Sequence, residues 1–362
     1  MIIGIDANKA TIKNRTGVEN FVYQLVLNLL KIDRKNHYAL FTGTELPKEI
    51  SDHNNLVTHQ SVGKRPWISF FLPLLLLQNK PDIYLQPLDG VPFFAPKKSI
   101  AVVHDLAYKY FKDAYTNGEL KRQNRVLENV VKKAKRIICV SESTKKDLLD
   151  FYPGAVDKVK VIYLGYDPNR FHEIANPKDV LKLNAPYILY SGRLEERKNT
   201  TRLVQAFYQL KKQKNIPHKL VLAGSPGHNY HEIYHEIQSE PKLMNDIIMP
   251  GHISHELLPD LIAKADIFAY PSLYEGFGLS LLEAMACGAT IVTAKSSSLP
   301  EVAGEAAVYI DPLDSSDIAK GIDYLISHPE TKQHYQKLAI ERASSFSWEK
   351  TAREFLKELE SL

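Results

Sequence analysis

Short apolar runs rich in Val, Ile and Tyr alternate along this chain with longer segments whose apolar residues recur at helical spacing. The runs at 2–5, 39–42, 83–86, 100–103, 136–140 and 159–163 predict one series of strands. A second series falls at 187–191, 219–223, 247–249, 267–270, 290–293 and 307–310. Helical periods lie between most of them, at 18–30, 121–133, 199–212, 279–286 and 317–326. This alternation implies an α/β chain with parallel sheets covered on both faces, and two series imply two doubly wound domains. The stretch 165–186 is rich in Pro and Asn and has no sustained apolar period, so it reads as the linker. The expected division is 1–170, 171–346 and a closing helix at 347–362. Ser347 is that helix's expected N-cap, and Trp348, Ala352, Phe355, Leu356 and Leu359 form one apolar stripe. A stripe that includes a Trp must dock, and the first domain is its expected seat.

Length and composition agree with this picture. At ~150 residues per domain, 362 residues suit two domains, each large enough to bury a core without staples. Cys139 and Cys287 sit in apolar contexts far from CxxC spacing, which suits free thiols in a reducing compartment. The opening MIIGIDA lacks a basic leader and reads as a strand from its first residue. A cytoplasmic protein is therefore expected. The most lipid-like run, 67–77 (WISFFLPLLLL), is interrupted by Pro73 and falls short of the ~20 residues of a spanning helix, so a buried helix is expected there. The net charge of +4 divides unevenly: residues 1–170 hold 26 Lys and Arg against 17 Asp and Glu, and the rest hold 20 against 25. The basic helical segment 121–136 displays much of the excess. It reads either as a surface helix packed on its sheet or as a dock for an anionic membrane surface or a lipid-diphosphate acceptor. No helix-turn-helix, zinc-finger or aromatic-interleaved basic motif accompanies it, so no nucleic-acid partner is expected.

Two segments carry chemistry. In 269–293 (AYPSLYEGFGLSLLEAMACGATIVT) a predicted strand leads through Glu275-Gly276-Phe277-Gly278 into a short helix beginning near Leu279. Glycines there let a ligand approach the backbone, and the helix start offers free N–H groups at the strand end where doubly wound sheets bind ligands. Glu275 and Glu283, eight residues apart, can both face that mouth, accepting from sugar and ribose hydroxyls. Glu283 would otherwise be an ordinary helix-face residue, but its neighbours Leu281, Leu282, Ala284, Met285 and Ala286 are all apolar, and an unpartnered carboxylate among them is costly. The second segment, Gly192-Arg193-Leu194-Glu195-Glu196-Arg197-Lys198, follows the first strand of the second series. Arg193 and Lys198 would stand at the strand end and hold a diphosphate, while Arg197 reads as part of a solvated turn.

Together the E-x7-E element Glu275…Glu283 and the G-R-x4-K element Gly192-Arg193…Lys198 closely resemble glycosyltransferase family 4, whose members are retaining enzymes of GT-B architecture. Thr16-Gly17-Val18-Glu19 resembles the family's N-terminal glycine loop, and His104-Asp105-Leu106 its segment after a first-domain strand. Further landmarks match at 140–144, 298–302 and 347–352. The resemblance implies two Rossmann-like domains facing across a cleft, the first for the acceptor and the second for the donor nucleotide, with the C-terminal helix returning to the first. It implies that Glu283 binds the donor ribose, Glu275 the donor sugar, and Arg193 and Lys198 the diphosphate. Backbone amides of Phe277, Gly278 and Leu279 would surround sugar and phosphate. His104 would lie beside the transferred sugar, Gly17 near the phosphates and Ile253 against the base. Read from its own residues, His104 is either site chemistry or a hydrogen-bonded corner. The run EGFGLSLLEAMACG…SSLPEVAGEAA looks most like members that move mannose from GDP-mannose in bacterial polysaccharide assembly, with UDP-glucose, UDP-galactose or UDP-N-acetylglucosamine as alternatives. The acceptor would be a glycan or a lipid-linked molecule. No D-x-D occurs, so no metal or other cofactor is expected.

A reading from another class is a zinc hydrolase built on His231-Glu232-Ile233-Tyr234-His235, an H-E-x-x-H match with Glu256 as its formal third ligand. A sugar-nucleotide-binding protein without transferase activity is a third.

Overall fold

The computed structural model describes residues 1–13, 15–60, 67–88, 90–92 and 94–362. The chain divides into two units, Met1–Gly165 with Phe346–Leu362, and Tyr166–Ser345.

The first unit is built on seven parallel strands: β1 (Ile2–Asp6), β2 (His37–Thr42), β3 (Leu56–Gln60), β4 (Ile83–Gln86), β5 (Ser99–Val103), β6 (Arg136–Cys139) and β7 (Val159–Val161). Their spatial order is β3-β2-β1-β4-β5-β6-β7, so the winding reverses between β1 and β4. The central strands are buried on both faces, which is why they read as unbroken apolar runs. β3 was not predicted. It sits at the sheet edge with Val57 exposed, and an edge strand needs no continuous apolar run.

Helix Gly17–Ile32 starts at a capping box in which Thr16 and Glu19 exchange bonds. Its Phe21 lies 6.2 Å from Trp348 and 6.0 Å from Phe355 of the closing helix Trp348–Glu360. Ser347 caps that helix by accepting from the Lys350 N–H at 3.1 Å. The closing segment crosses the chain at Gly165, where a Cβ would stand 2.1 Å from the Trp348 backbone nitrogen. Residues 67–77 depart from the expected buried helix. A π turn, Trp67–Phe71, leads into the α-helix Leu72–Asn79, and only one side of the segment packs on the sheet.

The second unit repeats the plan with β8 (Tyr187–Ser191), β9 (Lys219–Ala223), β10 (Ile247–Gly251), β11 (Ile267–Tyr270), β12 (Ile291–Ala294) and β13 (Val308–Ile310), all parallel in the order β10-β9-β8-β11-β12-β13. The stretch 166–186 contains neither helix nor strand. Among the described residues no helix is long and apolar enough to cross a membrane.

Candidate active site

The carboxyl ends of β8 and β11, neighbours in the second sheet, bring the two sequence motifs together. The loop after β11 ends at Gly278, whose φ of +100° lies in the left-handed region, and helix Leu279–Ala286 starts from it. Only glycine adopts that angle cheaply, so Gly278 turns the chain into the helix. The buried Ser298 hydroxyl bonds the carbonyls of both Glu275 and Phe277 at 2.9 Å, and the Glu275 N–H donates to Ser297 Oγ at 2.9 Å. The loop from Glu275 through Gly276 and Phe277 to Gly278 is therefore fixed from below by the 297–298 segment.

Glu275 is buried. Lys198 Nζ donates to its two carboxylate oxygens at 2.6 and 2.7 Å, and Arg197 Nη1 lies 3.6 Å away. Burial alone would raise the Glu275 carboxyl, but Lys198, Arg197 and a hydrogen bond from Tyr270 outweigh it and hold the group below the usual carboxylate range. Arg197 is not the solvated turn residue of the sequence reading. Its Nη1 donates to the Tyr274 carbonyl at 3.1 Å, its Nε pairs with Glu195 at 2.9 Å, and its own carbonyl accepts from Leu273 at 2.8 Å. It ties the β8 loop to the β11 loop through contacts that sequence spacing does not display. Arg193 stands apart from this buried pair: its side chain is 67% exposed, 3.8 Å from Glu195. Gly192 follows β8 directly, its N–H donating to the Ala223 carbonyl at 3.0 Å.

Glu283, one turn into helix Leu279–Ala286, is half-buried among apolar neighbours. Burial pushes its carboxyl up to about 8, with Arg170 opposing and Asp167 reinforcing the shift. Both partners come from the irregular segment after Gly165, which the sequence reading treated only as a linker. The two motif carboxylates thus differ in character: Glu275 is held ionised, whereas Glu283 is held protonated near neutrality. Ile253 lies in the loop just beyond β10, at the same end of the sheet.

Gly17 and His104 belong to the first unit. Gly17 opens its helix directly after the capping Thr16. His104 follows β5, with Nε2 2.8 Å from the Pro87 carbonyl and its ring edge-on to Phe21 at 4.8 Å. Burial lowers its pKa, and a neutral ring donating from Nε2 leaves Nδ1 as an acceptor. The hydrogen-bonded corner is therefore real, and it presets the ring.

Within His231–His235, Glu232 touches His231 at 3.2 Å, and both side chains are exposed on a helix that buries Ile233 and Ile237 instead. Among the described residues no group of three His, Cys, Asp or Glu side chains could hold a metal. The zinc-hydrolase reading therefore has no ligand set there.

The model of the family "Glycosyltransferase Family 4" matches residues 15–170, and that of "Glycosyl transferases group 1" matches residues 172–342. The O-antigen chain mannosyltransferase B of Escherichia coli is 28% identical over 268 residues, 72% of this chain and 70% of that protein. The serotype-specific mannosyltransferase WbdA of the same organism is 28% identical over 74% of this chain, which spans only 33% of it. Among solved structures, sucrose-phosphate synthase from Thermosynechococcus elongatus superposes with a TM-score of 0.77 at 19% identity, covering 99% of this chain and 98% of that one. Anabaena Alr3699/HepE in complex with UDP-glucose gives 0.73 at 17% identity, covering 100% and 99%.

Proposed function

Because this chain belongs to the GT-B glycosyltransferases, with a family 4 domain followed by a group 1 domain, we propose that it is a retaining, metal-independent enzyme moving a hexose from a nucleotide-diphosphate sugar to a glycan or lipid-linked acceptor. The observation that carries the reading is the buried Lys198–Glu275 pair beside the helix start at Gly278. An ionised, oriented carboxylate and fixed donors converge where a sugar diphosphate would lie.

Glu275 accepts from the sugar hydroxyls, and Phe277, Gly278 and Leu279 present backbone N–H groups to sugar and phosphate. As the anomeric carbon–oxygen bond breaks, its electron pair leaves on the diphosphate. Arg193, an exposed guanidinium beside Glu195, and the third N–H of Lys198 meet the growing charge, aided by the helix dipole. The acceptor hydroxyl oxygen forms the new bond on the same face as its O–H bond breaks, and the proton passes to the departing diphosphate oxygen. Glu283 bonds the ribose, Ile253 borders the base, Gly17 admits the phosphates, and His104 offers Nδ1 to the transferred sugar.

The preferred donor is GDP-mannose, supported by the mannosyltransferases among the relatives. A UDP-hexose is the second reading, favoured by the UDP-glucose complex of a protein with this fold. Thermal shift with GDP-mannose, GDP, UDP-glucose, UDP-N-acetylglucosamine and UDP, with and without EDTA, separates the two. A ligand at 100 times its dissociation constant stabilises by ~2.7 kcal/mol. Stabilisation by the guanine nucleotides alone, surviving EDTA, is expected. Stabilisation by uracil nucleotides alone overturns the donor assignment, and loss with EDTA overturns metal independence.

A further inference from the structure

The loop after β8 holds one carboxylate that the transfer chemistry leaves without a role. Glu195 sits between two cations of the donor site, its Oε1 2.9 Å from Arg197 Nε and its Oε2 3.8 Å from Arg193 Nε. Its side chain is only 13% exposed, whereas that of Arg193 is 67% exposed. The loop after β9 fixes the backbone around it. Leu194 N–H donates to the Ser225 carbonyl at 2.9 Å, Gly227 N–H to the Leu194 carbonyl at 2.7 Å, and Glu196 N–H to the His228 carbonyl at 3.1 Å. Gly227 packs so tightly that a Cβ there would stand 2.6 Å from Glu195 Cβ and 3.0 Å from its Oε2. Glu195 therefore cannot retreat towards the β9 loop, and its carboxylate stays against the arginines. The hold is by charge alone. Among the described residues the buried Oε1 accepts no aligned hydrogen bond, and Arg193 Nε is beyond hydrogen-bond distance of Oε2. Glu275 differs, since Lys198 donates to both of its oxygens.

Arg193, Arg197 and Lys198 bring three positive charges to this loop, and Glu275 by itself answers one. Glu195 answers a second, and its field reaches Lys198, where it joins that of Glu275 in opposing the loss of the ammonium charge by burial. A carboxylate held loosely beside an exposed guanidinium occupies the place of a phosphate oxygen. We propose that Glu195 is a positioning residue acting through Arg193: it is the resident counter-ion that the diphosphate displaces on binding, and it reclaims the guanidinium as the nucleoside diphosphate leaves. The inference rests on the donor-site reading proposed above. Glu195 then weakens diphosphate binding and hastens product release, so that the cations needed as charge grows on the leaving group do not trap the product. A merely structural tie has the opposite signature, since its loss loosens the loop and weakens binding.

The test is titration calorimetry of the full chain with GDP and with UDP, on the wild type, Glu195→Gln, Arg193→Ala and the double variant Arg193→Ala/Glu195→Gln. Gln keeps the size of the side chain and an oxygen beside Arg197 while removing the charge. The nucleotide that binds the wild type should bind Glu195→Gln about 2- to 5-fold more tightly, the range for losing a competing exposed ion pair, at an unchanged melting temperature. Stopped-flow displacement should show its dissociation slowed by a similar factor. In the Arg193→Ala background the same substitution should leave the affinity unchanged, because the two side chains act as a unit. Unchanged or weaker binding by Glu195→Gln overturns the proposal, and weaker binding with a lowered melting temperature makes Glu195 a structural tie instead. An equal gain without Arg193 also overturns it, assigning the effect to the field of the whole site. Each of these results leaves the donor-site reading standing, because the wild type still binds its nucleotide. Failure of the wild type to bind either nucleotide removes that reading and the proposal with it.

Discussion

Replacing Lys198 by Met tests whether the donor site is held together by its own charges before any ligand arrives. At 2.6 Å and an effective dielectric of about 20, the attraction between Lys198 and Glu275 is ~6 kcal/mol, set against the several kcal/mol each ion loses on leaving water. Removing one partner of such a pair costs ~3–5 kcal/mol, because a buried charge loses its compensation. Here Arg197 still stands 3.6 Å from the carboxylate and Tyr270 still bonds it, so the lower end, ~3 kcal/mol, is expected. Lys198→Met/Glu275→Leu, which removes both charges, should recover most of that loss. Urea unfolding of the wild type, the two single variants and the double variant closes the cycle and should give a coupling of at least ~2 kcal/mol. Additivity within ~0.5 kcal/mol refutes the reasoning, for it would mean that the pair does not form in the free protein.

Three further outcomes follow from the structure. Gly278→Ala forces a side chain onto a φ of +100° and places its Cβ 3.1 Å from Leu299, so chemical denaturation should show a loss of ~1–3 kcal/mol together with weaker nucleotide-sugar binding. Glu283, its carboxyl pushed up to about 8 in the folded protein from an ordinary 4.5, contributes stability that is full below the unfolded value and lost as pH rises towards 8. Relative to the wild type, Glu283→Gln should remove that decline in melting temperature between pH 5 and 8, and parallel curves would sink the assignment. Gly165→Ala drives a Cβ into the Trp348 backbone, which no rotamer change relieves, and should red-shift tryptophan emission as the closing helix loosens; an unshifted spectrum at unchanged stability contradicts it.

Much of the fold was legible because parallel sheets buried on both faces write themselves as continuous apolar runs, and β1, β4, β5, β8 and β11 all do. β3 escaped because an edge strand is not so constrained. The 67–77 run was misjudged as wholly buried because hydrophobicity records what a residue tolerates, not which side of a helix has a neighbour. In the site, Glu275, Lys198, Gly278 and Glu283 could be named from the two motifs, since glycine before a helix and carboxylates among apolar residues are local statements.

What the sequence could not state were relations across distance. Arg197 looked like a turn residue until β8 and β11 were paired, which set its guanidinium against Tyr274 and Glu275, 77 and 78 positions along the chain. Ser297 and Ser298 became supports for the loop only through the adjacency of β11 and β12. The opposite protonation of Glu275 and Glu283 rests on which cations reach each carboxylate in a low dielectric. Local propensity and burial pattern are properties of neighbouring residues, and the chain by itself determined those. Charge balance in a buried site depends on groups that only the folded sheet brings within a few ångströms, so tertiary structure alone decided it.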